Sequence, residues 1–222
     1  MPHKRILDLA VVFYCLLDNE YGRSATALIY NNNLKNWNVT IDDVYKAALK
    51  NTPDLLHSKI SSMATLFEKC GVNVDGEKVD LKDYVPSDMY VLTNESKLNG
   101  AACILYENVL YDFAQKLGAD LYILPSSVHE VILLPKLSMF EKDELVNMVK
   151  EVNTEGVAAD EVLSDHVYEY NRTEIAIKNA IGDQTYNSRV FRFPGGTSGG
   201  KYANIKAEAV NFLNQNNVAH LD

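Results

Sequence analysis

The amino-acid sequence predicts an α+β fold: a mixed, largely antiparallel sheet with packed helices, followed by a C-terminal β-α-β fragment. Three observations lead there. Short apolar runs bounded by Gly, Pro and Asn come in neighbouring pairs, as hairpins require. Helical spacing occurs in separate stretches that do not alternate regularly with those runs. Charge and glycine usage then change near residue 173. Residues 1–173 hold 16 basic and 26 acidic side chains, while residues 174–222 hold 5 and 4 and five of the eleven glycines.

Taken in order, Ile6–Asp18 reads as one long strand, Asn19–Gly22 as a turn and Ser24–Tyr30 as a second strand. Thr40 with Asp43 three positions on makes a capping box with Asp in place of Glu. Ile41, Val44, Tyr45, Ala48 and Leu49 then keep helical spacing until Asn51-Thr52-Pro53 stops it. Residues 57–70 place Ile60, Met63, Ala64 and Phe67 on one helical face, and Gly71–Pro86 reads as an exposed loop. Met89–Thr93 and Ala101–Tyr106 flank Asn94–Gly100 as a hairpin. Helix Val109–Leu117 ends at Gly118, a residue suited to the left-handed conformation past a helix end. Leu121–Leu124 and Val128–Leu134 read as strands broken by Pro125-Ser126-Ser127. Leu145, Met148, Val149 and Val152 mark a helix with Glu141, Asp143 and Glu144 in its first turn, and Val167–Tyr170 is a short strand. The domain boundaries that follow are 2–172 for the α+β domain, 173–183 for a junction and 184–222 for the fragment. In the fragment, Arg189–Phe193 is a strand, Tyr202 to Leu213 a helix and Val218–Leu221 a strand.

Composition excludes several classes of function. The net charge of −9, with no run of Lys and Arg, argues against a nucleic-acid-binding face. Cys15, Cys70 and Cys103 are an odd set without a C-x-x-C pair, so they fit a reducing, cytoplasmic compartment and not a disulfide framework or zinc knuckle. His3-Lys4-Arg5 before the apolar run Ile6–Leu17, interrupted only by Asp8, has the layout of a secretory signal peptide. It lacks a small-x-small cleavage pattern, and the run is shorter than the about 20 residues a membrane span needs. A strand buried on both faces is the better reading.

Two motifs bear on chemistry. Gly195 to Lys201 has the G-x-x-x-x-G-K spacing of a phosphate loop, but Tyr202 stands where a Ser or Thr hydroxyl must reach magnesium. Ser126, Ser127, His129, Glu130, Ser164, Asp165 and His166 bring together nucleophile, base and orienter types. A triad would need Ser127 or Ser126 near His166, with Asp165 or Glu130 orienting the ring. Asp165 adjoins His166, and neighbouring side chains on an extended chain point to opposite faces. Pro-Ser-Ser is also ordinary turn chemistry, which favours a structural role. The tyrosines Tyr84, Tyr90, Tyr106, Tyr111 and Tyr122 read as core or rim residues rather than a stacking platform.

Two resemblances add to this. Arg189-Val190-Phe191-Arg192-Phe193-Pro194-Gly195-Gly196, followed by Gly199-Gly200-Lys201-Tyr202 and Asn214 to Asp222, resembles a late segment of bacterial polysaccharide deacetylases. That resemblance implies that Arg192 orients a catalytic carboxylate and that Pro194, Gly195 and Gly196 shape a substrate groove. The family's metal-binding H-x-x-x-H pair is missing, because His3, His57, His129, His166 and His220 never stand four apart. Asp42-Asp43 sits at a helix start, without the strand that should precede the family's Asp pair. The segments Pro2 to Cys15, Leu121 to Leu133 and Glu161 to Tyr168 resemble the bacterial family catalogued as domain of unknown function 5688. This implies a chain shortened at its N-terminus and brings no mechanism. The expected protein is an uncharacterised cytosolic binding or interaction module without catalysis, with a protein as its partner and with no metal, cofactor, nucleic acid or membrane. The alternative is an incomplete metal-dependent carbohydrate N-deacetylase.

Overall fold

The computed structural model describes residues 1–18, 24–70, 73–74, 77–78, 88–137, 140–180 and 185–187. They divide into two compact units: Met1–Arg5 with Ala10–Asn51, and Ile6–Leu9 with the residues from Thr52 onward. The fold is α+β.

β1 (His3–Ile6) and β2 (Leu9–Val12), in the first unit except for Ile6 and Leu9, form one two-stranded sheet. β3 (Tyr14–Asp18) and β4 (Ser24–Leu28) form another, antiparallel from Tyr14↔Leu28 to Asp18↔Ser24. The single long strand expected over Ile6–Asp18 is therefore three short ones. A continuous apolar run carries no period that would mark a turn inside it. The first break falls at Leu7, whose φ is 56°. That conformation costs a residue with a Cβ about 1–2 kcal/mol, so other contacts must hold it. Helix α1 (Asn31–Trp37) ends at Asn38 in the left-handed region. Helix α2 (Ile41–Leu55) opens on the expected capping box. The Asp43 amide donates to Thr40 Oγ1 at 3.2 Å and the Thr40 amide to Asp43 Oδ2 at 3.0 Å. It runs on through Pro53, where a stop was expected. Near a helix end, proline removes one backbone bond without forcing the chain out of the helix, and the Leu56 amide still reaches the Thr52 carbonyl at 2.8 Å. Phe13, Ile29, Val44, Tyr45 and Ala47 are buried, with Phe13 edge-on to Tyr45 at 6.1 Å.

The second unit is built on a seven-stranded sheet. Its strands are β5 (Ser58–Ser62), β8 (Tyr90–Asn94), β9 (Leu121–Ser127), β10 (Glu130–Pro135), β11 (Tyr168–Asn171), β12 (Ala176–Asn179) and β13 (Thr185–Asn187). Their order is β13-β12-β11-β9-β10-β8-β5, and every pairing in it is antiparallel. Between β5 and β8 lie helix α3 (Met63–Cys70) and the short pair β6 (Asn73–Val74) and β7 (Glu77–Lys78). Helix α4 (Val109–Leu117) ends as expected at Gly118, with φ 71°.

Along β9, Leu121 and Ile123 face one cluster, which contains α4 residues Leu110, Phe113 and Ala114, whereas Leu124 faces another, which contains Leu145 and Val149 of α5 (Lys142–Glu155). The period of two thus places helices on both faces, and this is why β9 and β10 read as unbroken apolar runs. Helix α5 starts with the Glu141 amide donating to Glu144 Oε2 at 2.9 Å, which confirms the expected acidic first turn.

Three expectations fail locally. Ser58–Ser62 is strand β5 and not the first turns of a helix: Ser58, Ser61 and Ser62 offer little helical preference, and Ile60 sits opposite Leu92 at the sheet edge. Gly100–Leu105 is a 3-10 helix, not a strand. Its Ala101, Cys103 and Ile104 are buried in the main cluster, and a short all-apolar run does not distinguish the two. Pro125 lies within β9, opposite Val131 beside a register shift at Glu130/Val131, so the hairpin turns at Val128-His129. Strand β12 lies in the stretch 173–183 that composition marks as a junction, and β13 lies at the start of the 184–222 segment, so the sheet runs on past residue 172. The strand, helix and strand expected between Arg189 and Leu221 lie outside the described residues.

Candidate functional site

The catalytic-type residues singled out in the sequence fall into two separate groups. Ser127 ends β9, His129 lies in the turn to β10, and Glu130 opens β10 opposite Ser127. The His129 amide donates to Ser127 Oγ at 3.0 Å, as a turn serine requires. His129 Nδ1 accepts the Asn99 N–H at 3.1 Å, so the ring's own proton sits on Nε2, which faces Glu161 Oε1 at 3.4 Å. The His129 carbonyl accepts from Thr93 Oγ1 at 2.8 Å, and the flanking Val128 amide donates to the Glu161 carbonyl at 2.8 Å. These contacts tie the hairpin turn to its neighbours. None of them reaches a nucleophile other than the turn serine itself.

The second group forms around a residue absent from the sequence-derived candidates. Asp8, at the tip between β1 and β2, accepts three side-chain hydrogen bonds from the segment that leads into β11. Ser164 Oγ donates to Asp8 Oδ2 at 2.9 Å, His166 Nδ1 stands 3.0 Å from the same oxygen, and Tyr168 Oη donates to Oδ1 at 2.9 Å. Ser164, His166 and Tyr168 stand at i, i+2 and i+4, the spacing that turns alternate side chains of an extended chain to one side. Asp165 points the other way, and its Oδ1 accepts from Asn153 Nδ2 of α5 at 2.8 Å. Asp8, and not Asp165, therefore orients the His166 ring. The sequence did carry a signal: Asp8 is the single charged residue in an apolar run, and a carboxylate there needs partners.

The arrangement differs from a Ser-His-Asp triad in one respect that decides its chemistry. In a triad the serine proton goes to one imidazole nitrogen while the carboxylate holds the other. Here Ser164 Oγ and Asp8 Oδ2 both lie beside Nδ1, the Ser164–His166 separation is 3.4 Å, and the hydroxyl proton goes to the carboxylate. Ser164 is also only 9% exposed. The cluster secures a carboxylate and does not activate a hydroxyl.

Electrostatics agrees. Burial pushes the Asp8 carboxyl up, but hydrogen bonds from Tyr168, Ser164 and His166 outweigh it and hold the group below its ordinary value. Burial, with the adjacent Asp8 charge, pushes the Tyr168 phenol up, so it stays a donor. A second carboxylate is held similarly. Glu169 is raised by burial and then lowered further by Lys136 and Lys142, each 2.8 Å away. A folded-state value below the unfolded one means stability that is present above the unfolded value and lost as pH falls through the folded one. Thermal stability is therefore expected to fall as pH drops below 4.5 for Glu169 and below 3.8 for Asp8. Glu169→Gln should flatten the upper part of that loss, as measured by Tm against pH.

Among the described residues no three His, Cys, Asp or Glu side chains converge as metal ligands, and no helix is long and apolar enough to cross a membrane. Arg192, Pro194, Gly195 and Gly196 lie outside the described residues. No curated protein and no solved structure matches the chain. A family model does match, over residues 1–172, a span that holds Asp8, Ser164, His166 and Tyr168, and the chain therefore belongs to the family of unknown function DUF5688.

Proposed function

We propose that this protein is a non-catalytic binding or interaction module of the cytoplasm, with a protein as its partner. The observation that carries this reading is the direction of the Ser164 proton. It is committed to Asp8, which leaves neither Ser164 nor His166 arranged for acyl transfer. The free thiols Cys15 and Cys103 suit a reducing compartment. The full-length protein is expected to remain unlabelled by a fluorophosphonate probe and not to hydrolyse p-nitrophenyl acetate above the buffer rate. Labelling of Ser126, Ser127 or Ser164 that disappears in His129→Ala or His166→Ala would overturn the reading.

The segment 184–222 supports a second reading, that of an appended deacetylase-like piece. It rests on Arg192-Phe193-Pro194-Gly195-Gly196, with Arg192 as the carboxylate-orienting residue and without the family's metal-binding histidines. On this reading Arg192→Ala changes the stability of the main domain by no more than about 0.5 kcal/mol, as at a surface site. A larger shift in thermal unfolding would place Arg192 within the fold of the main domain.

A further inference from the structure

The chain enters the second unit for only four residues, Ile6–Leu9, before returning to the first at Ala10. Those four residues behave as a ligand would. Leu7 and Leu9 pack against the main apolar cluster, and the Asp8 carboxylate between them takes all three donors of Ser164, His166 and Tyr168. Two of those donors are positioned without help from Asp8. Ser164 Oγ accepts the His166 backbone N–H at 3.0 Å, which turns its own proton outward, and the Tyr168 ring is 1% exposed within the core. The receiving groups are therefore preorganised, whereas the group received sits on a turn that is strained at Leu7. The His166 side chain is 52% exposed and that of Asp8 28%, so the site opens to solvent.

We propose that Ser164, His166 and Tyr168 form a carboxylate receptor that Asp8 fills as an intramolecular ligand, and that the partner is a protein segment presenting an aspartate between two leucines in a tight turn. This rests on the reading of the chain as an interaction module and names the chemistry of its partner. A carboxylate meets two hydroxyl donors and a ring nitrogen, and the flanking leucines meet the apolar cluster that Leu7 and Leu9 now cover. Asp8 then acts as an internal competitor, and displacing the tip uncovers the site.

The test uses the full chain with Asp8→Ala. Sodium acetate, against matched sodium chloride, is expected to raise its Tm by about 3–6 °C at ten times the dissociation constant while leaving the unsubstituted protein unmoved. A synthetic peptide of residues Arg5–Ala10 is expected to do the same at lower concentration, and its Asp8→Asn version to fail. A cooperative Asp8→Ala protein that responds to neither acetate nor peptide overturns the receptor. Response to acetate without response to the peptide overturns the partner assignment. A concentration-dependent dimer of the unsubstituted protein, broken by Asp8→Ala, replaces the partner with a second copy. If Asp8→Ala loses cooperative unfolding, Asp8→Asn is titrated with acetate by amide NMR. Saturable shifts at Ser164 and His166 support the receptor, and their absence overturns it. Fluorophosphonate labelling reports separately on the non-catalytic reading and does not depend on any of these results.

Discussion

Gly100→Ala is expected to destabilise the protein by about 3 kcal/mol, lowering Tm by about 6–12 °C. A Cβ at this position would lie 2.2 Å from Thr93 Oγ1, 2.4 Å from the His129 carbonyl oxygen and 2.8 Å from the Asn94 amide nitrogen. Two of those atoms are backbone, and the third is already bound to one of them, since Thr93 Oγ1 donates to the His129 carbonyl. No flexible side-chain end can move aside. The methyl group would have to part the end of β8 from the β9–β10 turn, breaking the contacts that His129 makes. Two other glycines serve as controls. Gly118→Ala meets nothing within 4 Å but keeps φ at 71°, so it should cost only the strain of that conformation, about 1 kcal/mol. Gly156→Ala meets only the Val152 carbonyl, at 3.3 Å, which must give by a few tenths of an ångström, and should cost far less than Gly100→Ala. Thermal unfolding of the three proteins tests the ranking; a Gly100→Ala protein as stable as Gly156→Ala would show that the junction of β8 with the hairpin yields easily.

Ending the chain after Arg172, where the family match stops, is expected to be more damaging still. It removes β12 and β13, and with β12 the buried Ala176 and Ile177. Losing one buried isoleucine side chain alone costs about 2–5 kcal/mol. The cut also strips the outer hydrogen-bond partner from β11, whose Tyr168 and Tyr170 are each 1% exposed beneath it. Ending the chain after Asn187 keeps both strands, and its Tm should stay close to that of the full chain. Circular dichroism melts of the two truncated chains separate the outcomes. A cooperative, little-changed transition for the Arg172 chain would mean that the sheet closes at β11.

How much of this was legible in the sequence varied with the physics behind each element. Helices α4 and α5 were, because glycine, acidic first turns and one-sided apolar spacing are local signals. The capping box at Thr40 and Asp43 was legible for the same reason. The strand β5 and the 3-10 helix at Gly100 were not, because their identity comes from what they lie against: Ile60 opposite Leu92 in one case, a close approach to Thr93 and His129 in the other. The candidate site shows the same division. His166 and Ser164 were picked out by residue type, and the alternation that turns Asp165 away was anticipated. Asp8 was missed as their partner because no local pattern links positions 156 to 160 residues apart, although a lone carboxylate in an apolar run signals that a partner exists.

That separation sets an order of events during synthesis. Asp8 leaves the ribosome long before Ser164, His166 and Tyr168, which follow it by 156, 158 and 160 residues. At about 5–20 residues per second the interval is roughly 8–30 s. Throughout it the Leu7 turn has none of these donors to offset its backbone strain, and Leu7 and Leu9 lack most of the cluster they will cover. Residues Ile6–Leu9 therefore settle into their final conformation late, although they are made long before the donors that hold Asp8. A nascent chain arrested before Ser164 should present them to chaperones or proteases, and one arrested well beyond Tyr168 should not.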